Sequence, residues 1–320
     1  MMGKRFEVDH SWLSRIYKIL SGEIGLLVIL VLLVVGFSSA SEYFFTSRNL
    51  LNVTRQVSIN FIIAVGMTFL LLLGEIDLSV GSTAALAGVV TGTILTATGS
   101  IALAIFGGLF AGAAVGMVIS IGVVYGRVQS FIVTLAMMGI ARGIAYVWTQ
   151  GYPISGLPLN FGVLGAGYVG SVPVSSIIAL AVFAVAFVVL NKTKHGLYIR
   201  AIGANPEAAR LSAIKIKRYR VSGFVLTGLL SGLGGVLITS RLLSAQPTAA
   251  GGMEIDVIAS AILGGATLTG GIGTIHGTAL GALIIGIISN GLNLLGVSPF
   301  FQPIVKGLII LIAITMKRGK

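Results

Sequence analysis

The sequence has 320 residues and a formal net charge of +12, and 56% of its residues are hydrophobic while only 9% are charged. Soluble domains carry about 25% charged residues, so this composition excludes an ordinary water-soluble protein. The sequence contains no cysteine, which excludes disulfides and thiolate metal sites.

Apolar runs, separated by polar, glycine or proline residues, follow the basic N-terminal segment 1–23 and predict about ten spans of about 20 residues each. The predicted spans lie near residues 24–41, 53–73, 79–97, 101–124, 130–149, 173–190, 221–240, 256–272, 275–295 and 301–316. Runs such as VILVLLVV do not alternate in polarity, and backbone groups cannot stay unpaired in hydrocarbon, so helices are favoured over barrel strands. The sequence therefore predicts an all-α polytopic membrane protein with one transmembrane domain, residues 1–320.

Lysine and arginine predict the orientation, because they concentrate on the cytoplasmic side of membrane proteins. An even number of spans puts both termini on one side. That side then holds most of the 21 basic residues, in the N-terminal segment, at Arg127, in segment 191–220 and at the C-terminus. We therefore expect cytoplasmic termini, and the net charge needs no nucleic-acid partner to explain it.

Two acidic triplets, both spelled EID, stand out in this apolar chain. Glu75 and Asp77 open EIDLSVGSTAALAGVVTG (75–92), and Glu254 and Asp256 open EIDVIASAILGGATLTGG (254–271). An odd number of spans separates the two copies, so they point in opposite directions, as in inverted-topology repeats. The alternative is a chance triplet. We expect the four carboxylates to lie at hinge-like breaks between helices, where they reach water or cap backbone amides.

The loop from Asn191 to Arg220 contains the start signals of a short helix, predicted over about 204–214. Asn205 is a suitable N-cap, Pro206 suits the first helical position, and Glu207 favours the positive end of the helix dipole. From these signals alone, the helix is either an amphipathic connector along the membrane or a contact for a partner.

Three long segments resemble the permease subunits of bacterial sugar ABC importers. They are GMTFLLLLGEIDLSVGS, GRVQSFIVTLAMMGIARG and RLLSAQPTAAGGMEIDVIASAILGGATLTGGIGTIHGTALGALIIGIISNGLNLLGVS. The resemblance extends from about Leu26 to Ile314. It is strongest to the ribose branch, although permeases for xylose, arabinose and galactose share the DLSVGS and GG-x-G patterns.

The resemblance implies a type II importer permease of the bacterial inner membrane, with an inverted 5+5 repeat, that works as a pair of permease copies surrounded by membrane lipid. It also implies two further partners, a cytoplasmic ATPase with two fused nucleotide-binding domains and a periplasmic sugar-binding protein. Segment 191–220 would be the cytoplasmic coupling loop. The residues expected to contact the ATPase are Asn205, Pro206, Glu207, Ala208, Ala209 and Arg210. The match to the EAA motif is partial, because Ala213 replaces the usual glycine and no I-x-L-P follows.

The energy source is not in this chain, because no G-x-x-x-x-G-K-[ST] phosphate-binding motif occurs. ATP and Mg²⁺ are therefore expected on the partner ATPase, with no cofactor, metal or catalytic residue in this chain. The rival hypothesis is an ion-coupled secondary sugar transporter, which needs titratable groups inside the membrane. A membrane enzyme is disfavoured, because His10, His195 and His276 are scattered without ligand spacing.

Hydroxyl and amide side chains suit a pathway for a neutral sugar. The candidates are Ser79, Ser82, Thr83, Asn290 and Asn293. For each of them the alternative is a hydrogen bond between helices. Arg142 lies deep in a predicted span and is a candidate for a pathway or internal pairing role, with snorkelling as the alternative. Lys306 lies near a predicted interface and can snorkel to it. Segments 150–172 and 244–252 are the predicted contacts of the binding protein.

Overall fold

The structure of the chain is a computed structural model that describes residues 23–298 and 300–308, and it is mostly helical. Helices α1 to α5 are Glu23–Ala40, Ser47–Leu72, Val80–Thr98, Ile101–Ser120 and Ser130–Thr149. Helices α6 to α12 are Val163–Ala166, Val174–Lys192, Lys194–Ala204, Pro206–Leu211, Ile216–Leu242, Met253–Leu263 and Ile275–Leu294. A π-helical turn, Ile121–Tyr125, extends α4, and a 3-10 turn, Leu159–Gly162, precedes α6. Strands β1 (Tyr168–Val169) and β2 (Val172–Pro173) form a small antiparallel hairpin, and residues 302–308 are helical.

Within the described residues, seven helices are long and apolar enough to cross a membrane. They are α2, α3, α4 with its π-helical turn, α5, α7, α10 and α12. A shorter apolar helical stretch covers Gly25–Ala40. The predicted class, a helical multi-pass membrane protein, is confirmed.

The eighth predicted span, 256–272, differs from the observed structure. Helix α11 has only 11 residues and ends at Leu263. The chain then turns through Gly265, Gly270 and Gly271, which have φ angles of +100°, +94° and +78°. These left-handed conformations suit glycine and stop the helix. The N-terminal segment up to residue 22 and residues 309–316 of the tenth predicted span lie outside the described residues.

Helix α10 packs closely against α4 through facing glycines. A Cβ atom on Gly112 in α4 would overlap the Gly228 carbonyl oxygen in α10, and a Cβ atom on Gly228 would overlap that of Gly112. Gly235 of α10 approaches the backbone of α3 in the same way. Small residues let helix backbones approach each other in a membrane, and this explains the many glycines of the sequence.

We expect Gly112→Ala to destabilise the protein by about 1–3 kcal/mol, because the added methyl group meets backbone that cannot rotate away. The matched control is Gly139→Ala in α5, where an added Cβ would meet nothing within 4 Å. Thermal unfolding of the purified protein in detergent compares the two. Equal melting temperatures for both variants would contradict this packing.

Two breaks in the helices enter the bundle from opposite ends. We call the end that carries Glu75 and segment 191–220 the basic end; there Arg220 pairs with Glu75 at 3.1 Å. Residues 73–79 lead from this end into α3. Residues 243–252 start from the opposite end, where Ala245 forms a backbone bridge with Ile154. Residues 243–252 run along α3, and Ala250 lies against Gly81 in the first turn of α3. Both breaks therefore meet at the start of α3.

Candidate functional site

The predicted coupling segment forms two short helices at the basic end. The Asn205 Oδ1 atom accepts a hydrogen bond from the Ala208 amide at 3.0 Å, and Pro206 occupies the first turn of α9. The predicted N-cap is therefore confirmed. The helix is shorter than predicted, because it starts after Asn205 and ends at Leu211, before Ala213 adopts a left-handed φ of +58°.

Helix α8 was missed by the sequence analysis. The Thr193 hydroxyl caps it by accepting a hydrogen bond from the His195 amide at 3.2 Å. Its buried residues, Gly196, Ile199 and Ile202, recur every three residues along one face. This spacing after a threonine cap is the signal that predicts such a helix.

Helix α9 projects most of its side chains away from the protein. Arg210 donates hydrogen bonds to both carboxylate oxygens of Glu207, at 2.6 and 3.0 Å, and both side chains are 65% exposed. The bonds from Arg210 lower the pKa of Glu207. Ala209 is buried, whereas Leu211 is 74% exposed. The helix therefore presents a small surface with a fixed ion pair and an apolar residue.

The segment that carries α9 is attached to a membrane-spanning helix by backbone contacts. A Cβ atom on Gly203 would overlap the carbonyl oxygen of Leu72, the last residue of α2, and would also meet the Gly271 amide. That amide donates a hydrogen bond to the Leu72 carbonyl at 2.9 Å. The end of α8, directly before α9, is therefore in backbone contact with α2 and with the glycine-rich turn after α11.

Three of the four predicted hinge carboxylates, those of Glu75, Asp77 and Asp256, have partners within the protein. Glu75 pairs with Arg220 at 3.1 Å, and Asp256 pairs with Lys306 at 2.8 Å. Lys306, expected to snorkel, thus extends to an internal carboxylate.

Asp77 is 1% exposed, and its Oδ1 atom accepts hydrogen bonds from the amide and the hydroxyl of Ser79 at 2.7 and 2.6 Å. Glu254, the fourth carboxylate, lies beside Gly81 at the point where the two breaks meet.

Four of the five predicted hydroxyl and amide pathway residues lie inside the helix bundle, whereas Asn293 is exposed. Ser79, Ser82 and Thr83 are buried around the first turn of α3. Asn290 exchanges two hydrogen bonds with Asn49, at 2.9 and 2.8 Å. The Asn293 Oδ1 atom accepts a hydrogen bond from Gln302 at 2.7 Å. The asparagines therefore have helix-to-helix partners in this conformation.

Arg142 holds the second break in place. Its Nη1 atom donates hydrogen bonds to the carbonyl oxygens of Pro247 and Ala249, at 2.6 and 2.7 Å. A non-helical backbone at membrane depth needs such internal donors, because lipid supplies none. Of the roles considered for Arg142, these contacts support internal pairing rather than snorkelling to the interface.

Further polar side chains tie α2 to the later helices, and the sequence analysis did not single them out. Asn60 donates a hydrogen bond to the Ser260 hydroxyl of α11 at 2.9 Å, and the hydroxyls of Thr68 and Thr278 are 2.7 Å apart. A polar residue inside an apolar span needs a hydrogen-bond partner there, so its presence in the sequence indicates a contact with another helix. The sequence does not indicate which helix supplies it.

The opposite end carries a second group of cations. Arg48 and Arg55 line a cavity of about 610 Å³, and the Arg55 guanidinium lies 4.6 Å from the centre of the Tyr168 ring. Of the two predicted binding-protein contacts, 150–172 has exposed side chains such as Tyr152, whereas Ala245 and Pro247 of 244–252 are buried. Among the described residues, no group of three or more histidine or acidic side chains could hold a metal ion.

Comparison with known proteins gives the family. Residues 49–314 match the family model described as the permease component of the branched-chain amino acid transport system. The chain is 45% identical over 298 residues to the ribose import permease protein of Escherichia coli, covering 92% of this chain and 93% of that protein. It is 45% identical over 293 residues to the ribose import permease protein of Bacillus subtilis, covering 91% of each chain.

An L-arabinose ABC transporter permease protein of Azospirillum brasilense is 39% identical over 293 residues, covering 91% of this chain and 86% of that protein. No solved structure matches the chain. The family model covers most of the chain, and the relatives are similar over nearly their whole length. The chain therefore belongs to this family of membrane-embedded permease components of transport systems.

Proposed function

We propose that this chain is the permease subunit of an ATP-driven importer that moves ribose or a related monosaccharide across the bacterial inner membrane. The observation that carries the proposal is 45% identity over 92% of the chain to ribose import permeases. Identity of 39% to an L-arabinose permease supports a substrate range that includes other monosaccharides. The sugar would be delivered by a periplasmic binding protein at the opposite end.

The proposed topology has about ten crossings in an inverted 5+5 repeat, as in a type II importer, with both termini in the cytoplasm. Two observations support it. The first break, 73–79, enters from the basic end and the second, 243–252, enters from the opposite end. The first break contains one EID triplet, and the second break is closely followed by the other. The basic end would then face the cytoplasm, which the distribution of lysine and arginine supports.

The proposed energy source is a separate ATPase that binds ATP and Mg²⁺ and docks on α9. The fixed Glu207–Arg210 pair and exposed Leu211 offer it both a polar and an apolar contact. The backbone contact of Gly203 with Leu72 then passes ATPase motion to α2. A second permease copy would complete the pathway, and residues 1–320 would form one permease domain without a cofactor of its own.

The proposed transport movement occurs at the two breaks. Glu75 and Asp77 lie within the first break, and Glu254 and Asp256 lie in the first turn of α11, directly after the second break. Helices on either side of each break could then tilt without losing intrahelical hydrogen bonds. Ser79, Ser82, Thr83, Asn290, Asn293 and Arg142 are the proposed pathway residues. In this account the asparagine and arginine contacts described above belong to one conformation of the cycle.

The substrate is tested with the reconstituted importer, made from this chain, its ATPase and its binding protein in proteoliposomes. We expect uptake of labelled ribose that requires the binding protein and is reduced by unlabelled arabinose at a higher concentration. Uptake of an amino acid, with no uptake of either pentose, would contradict the proposed substrate class.

A further inference from the structure

A cleft at the basic end carries more positive charge than the chain neutralises. Its volume is about 910 Å³, and it lies between the π-helical turn of α4, the start of α5 and the residues after α9. The cations in its lining are Arg127, Arg210, Lys215, Lys217 and Arg220, and the one carboxylate in the lining is Glu75.

Two of these five cations are already paired. Arg220 pairs with Glu75, and Arg210 pairs with Glu207. In the part of the chain that the structure describes, Arg127, Lys215 and Lys217 have no carboxylate within ion-pair distance. The Lys217 Nζ atom instead lies 5.6 Å from the centre of the Tyr125 ring. The cleft therefore has a net positive charge that an anion would neutralise.

The floor of the same cleft is apolar. It includes Val123, Val124 and Val128, together with Phe131, which is 53% exposed. This floor continues onto exposed apolar side chains of the spans α4 and α5, such as Ile121 and Ile132. The cleft therefore adjoins exposed apolar side chains of two helices that are long and apolar enough to cross a membrane.

The backbone beside the cleft is irregular in two places. Helix α4 ends in the π-helical turn Ile121–Tyr125. Arg127, two residues later, has a left-handed φ of +56°. Single π-helical turns occur frequently at functional sites, and a left-handed non-glycine residue is a strained position that also concentrates at such sites. Arg127 itself lines the cleft.

We propose that this cleft binds the phosphodiester headgroup of an anionic phospholipid, with the acyl chains lying on α4 and α5. The phosphate neutralises the three unpaired cations, and the apolar floor continues into the path of the chains. Basic pockets between transmembrane helices on the cytoplasmic side are suited to such headgroups. A soluble acidic peptide would use the cations but would leave the apolar opening toward the membrane without an occupant.

The site is next to the coupling helix. Arg210 and Ile214, which line the cleft, lie at the end of α9 and just after it. A bound lipid therefore restrains the segment on which the ATPase is proposed to act. The binding itself does not depend on the identity of the transported sugar or on the ATPase.

The test uses the full chain in detergent with phosphatidylglycerol or phosphatidylcholine, and native mass spectrometry counts the retained lipids. The variant is Arg127→Gln with Lys217→Gln, and the matched control is Lys192→Gln with Lys194→Gln, two exposed cations outside the cleft. We expect the cleft variant to retain phosphatidylglycerol about tenfold or more weakly, because it loses two cations that face the headgroup. We expect the control and all phosphatidylcholine measurements to stay unchanged.

Three results would overturn the proposal. Equal loss of phosphatidylglycerol in the cleft and control variants would show non-specific surface charge. Displacement of the lipid by millimolar inorganic phosphate would show a site for free anions. Unchanged lipid retention, combined with weaker ATPase association of the cleft variant in neutral-lipid nanodiscs, would assign the cleft to a protein partner.

Discussion

Replacing Lys306 with methionine should destabilise the protein by about 3–5 kcal/mol, because it leaves the Asp256 carboxylate inside the bundle without its cation. The two side chains are only 14% and 23% exposed, and the Nζ–Oδ2 distance is 2.8 Å. Replacing both partners removes the isolated charge as well. We therefore expect the double variant, Lys306→Met with Asp256→Met, to recover most of the lost stability in thermal unfolding.

The same variants separate the two transport hypotheses. An ion-coupled transporter would need a titratable group such as Asp256 in its transport cycle. A permease driven by a partner ATPase needs the pair only for structure, so the double variant should transport sugar with near-normal rates in the reconstituted importer. A stable double variant that has lost transport would contradict a purely structural role.

Reversing the charge of Glu207 should uncouple the chain from its ATPase. Glu207→Lys breaks the pair with Arg210 and places like charges at adjacent positions on the exposed face of α9. Sugar uptake and ATPase association should both fall at least about tenfold, as expected for a residue at the centre of an interface. Folding should not change, because exposed ion pairs contribute little to stability.

Pull-down of the ATPase by the membrane-inserted variant measures the association, and uptake by the reconstituted importer measures the coupling. The matched control is Glu42→Lys, which reverses an exposed carboxylate outside segment 191–220. We expect the control to bind the ATPase normally. Normal binding and uptake by Glu207→Lys would reject α9 as the contact.

The long helices could be read from the sequence with small errors. Span 130–149 coincides with α5, and span 101–124 nearly coincides with α4 and its π-helical turn. Long apolar runs with clear breaks determine a helix locally, since hydrocarbon requires every backbone group to be paired within it. Helix α2 begins at Ser47, before the predicted start at 53, because Thr46 caps it by accepting a hydrogen bond from the Asn49 amide.

The bounds of the breaks were predicted less accurately than those of the long helices, because the geometry of a break depends on distant parts of the chain. The sequence EIDVIASAILGGATLTGG is apolar enough for a span, yet α11 stops at Leu263. The turn after it is fixed by Gly271, whose amide binds the Leu72 carbonyl of another helix. Hydropathy does not encode such a contact.

In the candidate site, too, local features could be predicted from the sequence, whereas contacts between distant residues could not. The Asn205 cap and Pro206 are local signals, and the structure has both. The pairing of Asn49 with Asn290 joins residues 241 positions apart, and Arg142 finds its acceptors more than 100 positions away. Arg142 and Asn290 could be singled out from the sequence as pathway candidates, but only the fold selects their partners.

Transport driven by a partner ATPase is tested most directly by sugar uptake into proteoliposomes that contain this chain, compared with and without its ATPase. Each preparation is measured with ATP and Mg²⁺ on the ATPase side and, separately, with an imposed proton gradient. We expect uptake only when the ATPase, ATP and the loaded binding protein are all present. Uptake by this chain alone, driven by the proton gradient, would contradict it.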